Sequence, residues 1–145
     1  MGYTIAAVVA RLDLLTEHAG ALPVVPLQDG WGLVPFPGAD PDPDPDLDPT
    51  TVDTAATVRQ LSAAGPVAYV EADIFGGRGT QRAAVWQAGA VVFGPVDGWI
   101  GEGPTPISRA LAALGVRARG QDEFATIGLG RHRHTENWLP DALPR

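Results

Sequence analysis

Apolar residues along the chain recur with the periods of short strands and helices. Residues 3–9 are almost continuously apolar and rich in β-branched residues, which predicts a buried strand. Residues 67–75 alternate instead, so that every second side chain points to the same side of the strand. One side carries Val67, Tyr69, Glu71, Asp73 and Phe75. We therefore predict a second strand whose one face bears polar groups.

Turn signals predict how these strands are joined. A turn at Ala88-Gly89 divides residues 80–93, and this predicts a three-stranded antiparallel meander that begins with residues 67–75. Asp29-Gly30 stands between two further apolar runs, 24–27 and 31–36, and predicts a hairpin. Each of these runs contains a proline, which cannot donate to a ladder. We therefore expect both to be edge strands.

Helix signals lie on either side of the meander. Residues 51–64 have a threonine cap and end at Gly65-Pro66, and residues 105–114 begin with a threonine cap and a proline and end at Gly115. Residues 12–19 predict a shorter helix. The 145-residue chain is therefore expected to form a single α+β domain, with a mainly antiparallel sheet and two principal helices on one face.

An acidic Asp-Pro tract interrupts this pattern at 37–50. Proline holds the preceding residue extended, so the tract is expected to be an exposed loop, with an acidic interaction strap as the alternative. Five of its aspartates account for much of the net charge of −7, and they are Asp40, Asp42, Asp44, Asp46 and Asp48. The rest of the chain is nearly neutral and has no arginine-rich stripe. We therefore expect no nucleic-acid partner and no membrane partner.

The residue composition of the chain leads to expectations about its cellular compartment and its cofactors. It has no cysteine, no basic segment before its first apolar run and no apolar stretch of membrane-spanning length, which predicts a cytoplasmic protein. His132, His134 and Glu136 have the residue types of a metal site. Because Arg131 and Arg133 flank the histidines and would repel a cation, we interpret them as part of an irregular polar tail that starts at about 121. We expect no metal and no cofactor.

The candidate binding site is a polar cluster around the Gly76-Gly77 turn. It consists of Glu71, Asp73, Arg78, Gln81 and Arg82. The glycine-rich turn suits either an anion-binding nest or an ordinary hairpin loop. The two carboxylates suit either acid–base or metal chemistry, or pairing with arginine across the ladder. These alternatives stay open at the level of the sequence.

Three motifs together resemble a group of small bacterial proteins to which no activity is attached. They are AYVEADIFGGRGTQRAAVW, PISRALAALGV and DEFATIGLGRHR, and the likeness covers roughly residues 66–133. The matching positions are Glu71, Phe75, Gly76, Gly77, Gly79, Gln81, Trp86, Asp122, Glu123, Phe124 and Arg133. The resemblance implies an association with immunity-type or accessory proteins.

These observations favour a small cytoplasmic bacterial binding protein without catalytic activity, an inhibitor or immunity-like partner of another protein. The local acidity supports this hypothesis because acidic surfaces steer basic partners. Two alternatives stay open: a small hydrolase-type enzyme that uses Glu71 and Asp73, and a homo-oligomeric structural or ligand-binding module.

Overall fold

The structure, a computed structural model, describes residues 2–20, 22–36, 52–75, 78–99 and 104–143. The Asp-Pro tract at 37–50 and the Gly76-Gly77 turn lie outside the described residues. The strands are β1 Gly2–Arg11, β2 Val25–Pro26, β3 Trp31–Pro35, β4 Val67–Phe75, β5 Arg78–Gln87 and β6 Ala90–Trp99. The helices are α1 Leu12–His18, α2 Val52–Ser62, α3 Pro106–Leu114 and α4 Glu123–Thr126, with 3-10 segments at Gln28–Gly30 and Thr135–Asp141.

The described strands form one six-stranded sheet in the order β2-β3-β1-β4-β5-β6, and every neighbouring pair is antiparallel. This confirms the predicted α+β fold and the β4-β5-β6 meander. The two-residue turn between β5 and β6 has positive φ at both Ala88 (54°) and Gly89 (82°), as the tightest antiparallel hairpins require.

Helices pack on both faces of the sheet. Ile5, Ala7 and Val9 of β1 join the apolar cluster of α3, whereas Val8 and Ala10 join the cluster of α1 and α2. Because consecutive strand residues point to opposite faces, α3 lies on one side and α1 and α2 lie on the other. The two principal helices, α2 and α3, thus lie on opposite faces rather than on one face as the sequence predicted. The continuous burial of β1 is the physical reason, since both of its faces need cover.

The prediction of two edge strands is right for β2 and wrong for β3. β3 lies between β2 and β1, but β2 pairs only with Gly32 and Leu33. The end of β3 that carries Pro35 therefore has no β2 residue beside it, and the missing N–H of Pro35 costs no ladder bond.

The segment after α3, predicted to be an irregular tail, contributes to the core. Ile127, Leu129 and Trp138 are fully buried against the α3 face of the sheet. The backbone N–H of Thr4 in β1 donates to the Arg133 carbonyl at 2.7 Å. The segment therefore lies beside the part of β1 that β3 does not reach. In the described part of the chain, no helix has the length and apolar character that crossing a membrane requires.

Candidate functional site

The five residues of the predicted cluster are divided between the two faces of the sheet. Glu71 and Asp73 point to the α1/α2 face, and the register places Arg82 directly opposite Glu71 on that face. Gln81 points to the other face, towards α3. Arg78 is described by its backbone, which pairs with Phe75 at the end of the β4–β5 hairpin.

Gln81 is a structural residue of the helix α3 start. Its buried side chain accepts a hydrogen bond through Oε1 from the Ile107 N–H at 3.0 Å. Thr105 Oγ1 accepts from the Ser108 N–H at 3.2 Å, and Pro106 at the first helical position has no N–H. The first three helical positions therefore leave no N–H unpaired, since two are bonded and the proline has none. Gln81 therefore anchors α3 to β5.

Glu71 lies under the surface, within a row of polar side chains that crosses the strands. Its exposed fraction is 5%, and its carboxylate is hydrogen-bonded to the Tyr69 hydroxyl. Burial raises the pKa of Tyr69, and the charge and the hydrogen bond of Glu71 raise it further. Tyr69 therefore stays a neutral donor at physiological pH. Arg82, opposite Glu71, supplies the positive charge that a buried carboxylate needs.

Arg82 also connects this row to strand β6. Its Nη2 lies 3.6 Å from Oδ2 of Asp97, its register partner on β6. The side chain of Arg82 is 15% exposed, whereas that of Asp97 is 68% exposed. The carboxylate thus lies at the surface and the guanidinium beneath it.

Exposed side chains gather where β4 and β5 approach the turn. Phe75, the last residue of β4, is 75% exposed, and Asp73 on the same side of the strand is exposed as well. Thr80 stands opposite Asp73 on β5 and is also exposed. We name the surface formed by Asp73, Phe75, Thr80 and Asp97 the tip face.

The tip face continues onto strand β1. Thr4 is the register partner of Asp73, and its Oγ1 lies 3.0 Å from Nδ1 of His134 in the C-terminal segment. Thr135, the next residue, accepts a hydrogen bond from the Ala6 N–H through Oγ1 at 3.2 Å. The C-terminal segment is therefore fixed beside the tip face by contacts to two residues of β1.

Gly79 allows the hairpin to close tightly at this end. An added Cβ would overlap the Asp73 carbonyl oxygen and would come within 2.5 Å of the Ile74 Cα. Both are backbone atoms of β4, which a side-chain movement cannot relieve. A residue without a Cβ is therefore required opposite Ile74. The close approach of the two strands at Gly79 fixes the positions of Asp73 and Phe75 on β4.

The two histidines of the His-x-His-x-Glu motif have different partners. His132 Nε2 lies 2.7 Å from Oδ2 of Asp141, whereas His134 is hydrogen-bonded to Thr4. The hydrogen bond with His132 lowers the pKa of Asp141. Within the described ranges, no group of three or more His, Asp and Glu side chains could hold a metal ion.

Most polar groups near the tip face are buried in structural contacts, and the groups that stay exposed belong to a few side chains. The serines within predicted helices, Ser62 and Ser108, are buried. Ser62 accepts a hydrogen bond from the Gly89 N–H at 2.9 Å, which attaches α2 to the β5–β6 turn. Glu71 is enclosed together with Tyr69, and Gln81 binds a helix start. The exposed groups of the tip face are an aromatic ring, two carboxylates and a hydroxyl, which can bind a partner without reacting with it.

Sequence reasoning identified Asp73 and missed Phe75, Thr80 and Asp97 as members of the tip face. Phe75 gave a usable signal, because it is a large apolar residue on the polar side of an alternating strand, next to a turn. Asp97 gave none, since its position opposite Arg82 depends on the register of β6.

A comparison with protein-family models, with curated proteins and with solved structures found no match to this chain. The resemblance to small bacterial proteins therefore stays a prediction.

Proposed function

We propose that this domain is a non-catalytic binding protein that contacts another protein through the tip face, as an inhibitor or immunity-like partner does. The observation that carries the proposal is Phe75. A phenylalanine that leaves 75% of its surface in water forgoes the stabilisation that burial would give it. Aromatic residues are enriched at protein interfaces and often dominate their affinity.

Neighbouring residues support a binding role over the hydrolase alternative. Glu71, one of the two carboxylates required by that alternative, is 5% exposed and hydrogen-bonded to Tyr69. A general base must reach the proton that it removes, and a carboxylate buried beside a cation is poorly suited to do so. Asp73 is exposed, which suits a contact at the rim of an interface.

Replacement of Phe75 tests the proposal. Tagged wild-type protein and the Phe75→Ala variant would be expressed in the source organism, and the proteins that co-purify would be quantified by mass spectrometry. We expect a specific partner to be captured by the wild type and lost from the variant. The free energy of unfolding should change by less than about 0.5 kcal/mol, because the ring is largely exposed.

Val92→Ala is the matched control. Val92 lies on β6 and is 59% exposed, so the substitution also removes exposed apolar surface, but away from the tip face. Capture of the partner by this control is expected to equal that of the wild type. A partner that binds Phe75→Ala as well as the wild type would refute the proposal.

A further inference from the structure

The charged side chains at the tip face differ in how deeply they are buried. The carboxylates of Asp73 and Asp97 are exposed, whereas the guanidinium of Arg82 is 15% exposed and lies 3.6 Å from the Asp97 carboxylate. A partner that approaches this surface therefore meets the acids before the cation. His134 lies at the β1 margin, and the register places Arg78 beside Phe75 at the end of the hairpin.

The register also fixes the spacing of the two exposed acids. Asp73 lies on β4 opposite Thr80, and Asp97 lies on β6 opposite Arg82. They are two strands apart across the sheet and two residues apart along it, which separates their Cα atoms by roughly 12 Å at ordinary strand spacings. Phe75 lies about 7 Å from Asp73 along β4 by the same rise. Two carboxylates and one ring therefore form a triangle that a protein surface can match.

Features at both edges of the sheet hinder a partner from pairing a strand of its own there. A partner is therefore expected to contact the side chains of the tip face. At the β2 edge, the Val24 carbonyl accepts from the Leu143 N–H at 2.8 Å, and the Pro26 carbonyl accepts from Arg131 Nη2 at 3.1 Å. At the other edge, β6 contains Pro95 and faces two register irregularities in its pairing with β5. Proline and bulges are features that keep edge strands from pairing with another chain.

We infer that the partner is a protein with a cationic surface, whose lysine or arginine side chains meet Asp73 and Asp97 around an apolar hollow that receives Phe75. This inference rests on the proposed function and names the chemistry of its partner. Exposed acids of this kind attract a basic surface over distance and orient it before contact. The net charge of −7 adds a long-range contribution of the same sign.

The experiment identifies the partner by its contact with the tip face. Thr80 is replaced by the photo-crosslinking amino acid p-benzoylphenylalanine, the protein is irradiated in its source organism, and the crosslinked protein is identified and purified. Its binding to wild type, Asp73→Asn/Asp97→Asn and Phe75→Ala is then measured by calorimetry at low and high NaCl concentrations. Asp13→Asn/Glu17→Gln on α1 is the matched control, since it also removes two exposed carboxylates.

We expect a basic partner whose affinity for the wild type falls as salt is added. The Asp73→Asn/Asp97→Asn variant should lose about tenfold in affinity at low salt and most of the salt dependence, while the α1 control keeps both. An affinity that is independent of salt, or equal for wild type and Asp73→Asn/Asp97→Asn, would overturn the inference. If Phe75→Ala still abolished binding in that case, the proposed function would stand. Binding that survives Phe75→Ala, or no crosslinked protein, would overturn both.

Discussion

Gln81 joins the hairpin of the tip face to α3 through a buried hydrogen bond to the Ile107 N–H. Replacing it with alanine leaves the Ile107 N–H buried without its acceptor. We expect Gln81→Ala to lower the free energy of unfolding by about 1–3 kcal/mol, measured by urea denaturation. Gln87→Ala removes an exposed glutamine from the same strand and serves as the control. Equal stabilities of the two variants would show that the hydrogen bond between Gln81 and the Ile107 N–H contributes nothing to the free energy of unfolding.

Gly79 is required by the close approach of β4 and β5. In Gly79→Ala, the new methyl group would overlap backbone atoms at Asp73 and Ile74, so the strands would have to separate. We expect a loss of about 2 kcal/mol or more in the free energy of unfolding, together with weaker partner binding, since Phe75 would shift. Gly98→Ala is the control, because among the described residues its Cβ would meet only Pro106, at an ordinary 3.8 Å. A Gly79→Ala variant as stable as that control would contradict the argument.

Among the elements, the β5–β6 hairpin has a turn whose sequence suits its geometry only in part. Both turn residues have positive φ, yet the first of them is Ala88, for which this conformation is unfavourable. Asparagine tolerates it and is common at this position of such turns. Ala88→Asn should therefore raise the free energy of unfolding by ~1 kcal/mol, seen as a higher thermal midpoint. An unchanged or lower midpoint would indicate that the contacts of the turn with Ser62 decide its stability instead.

Local patterns predicted the elements well because their causes are local. The cap, the proline and the closing glycine of α3 act within one helix, and the alternation in β4 places Tyr69, Glu71 and Asp73 on one side without reference to other strands. The same alternation applied to β5 would have separated Gln81 from Arg82. The two residues were grouped in one site because they are adjacent in the sequence, although adjacent residues of a strand point to opposite faces.

Longer-range features could not be predicted from local patterns. Which helix covers which face of β1 depends on packing across the whole sheet, and the register of β6 depends on its two irregularities. The burial of Trp138 depends on a path that brings the C-terminal segment back to the sheet. The tryptophan itself indicates packing from the sequence, but nothing local shows which surface it packs against.

At the scale of the whole molecule, Asp141 holds the C-terminal segment against the β2 edge. Its carboxylate contacts His132 at 2.7 Å and Arg131 at 3.5 Å, and Arg131 also donates to the Pro26 carbonyl. Because the hydrogen bond with His132 lowers the pKa of Asp141 in the folded protein, the carboxylate stabilises the fold above the ordinary aspartate pKa of about 3.9. That contribution is lost as the pH falls through the lower, folded value.

Asp141→Asn should accordingly be less stable than the wild type at pH 6, and the difference should shrink as the pH is lowered from about 4 through the lower pKa of the folded protein. Urea denaturation of both proteins at several pH values measures it. Glu136→Gln, which alters an exposed carboxylate in the same segment, should leave the wild-type pH dependence in place. A stability difference that persists undiminished at pH 3 would exclude this assignment.

The central position of β1 has a consequence for how the chain folds. Its ladder partners are residues 31–35 and 68–75, and the Thr4 N–H donates to the Arg133 carbonyl. The first strand therefore gains its last hydrogen bonds only when chain more than a hundred residues away has arrived. Loops of that length close slowly compared with local helices, so folding is expected to take milliseconds to seconds rather than microseconds. Until then, the apolar residues of β1 lack the cover that Ile127, Leu129 and Trp138 give them in the folded domain, and exposed apolar strands of this kind promote aggregation during folding.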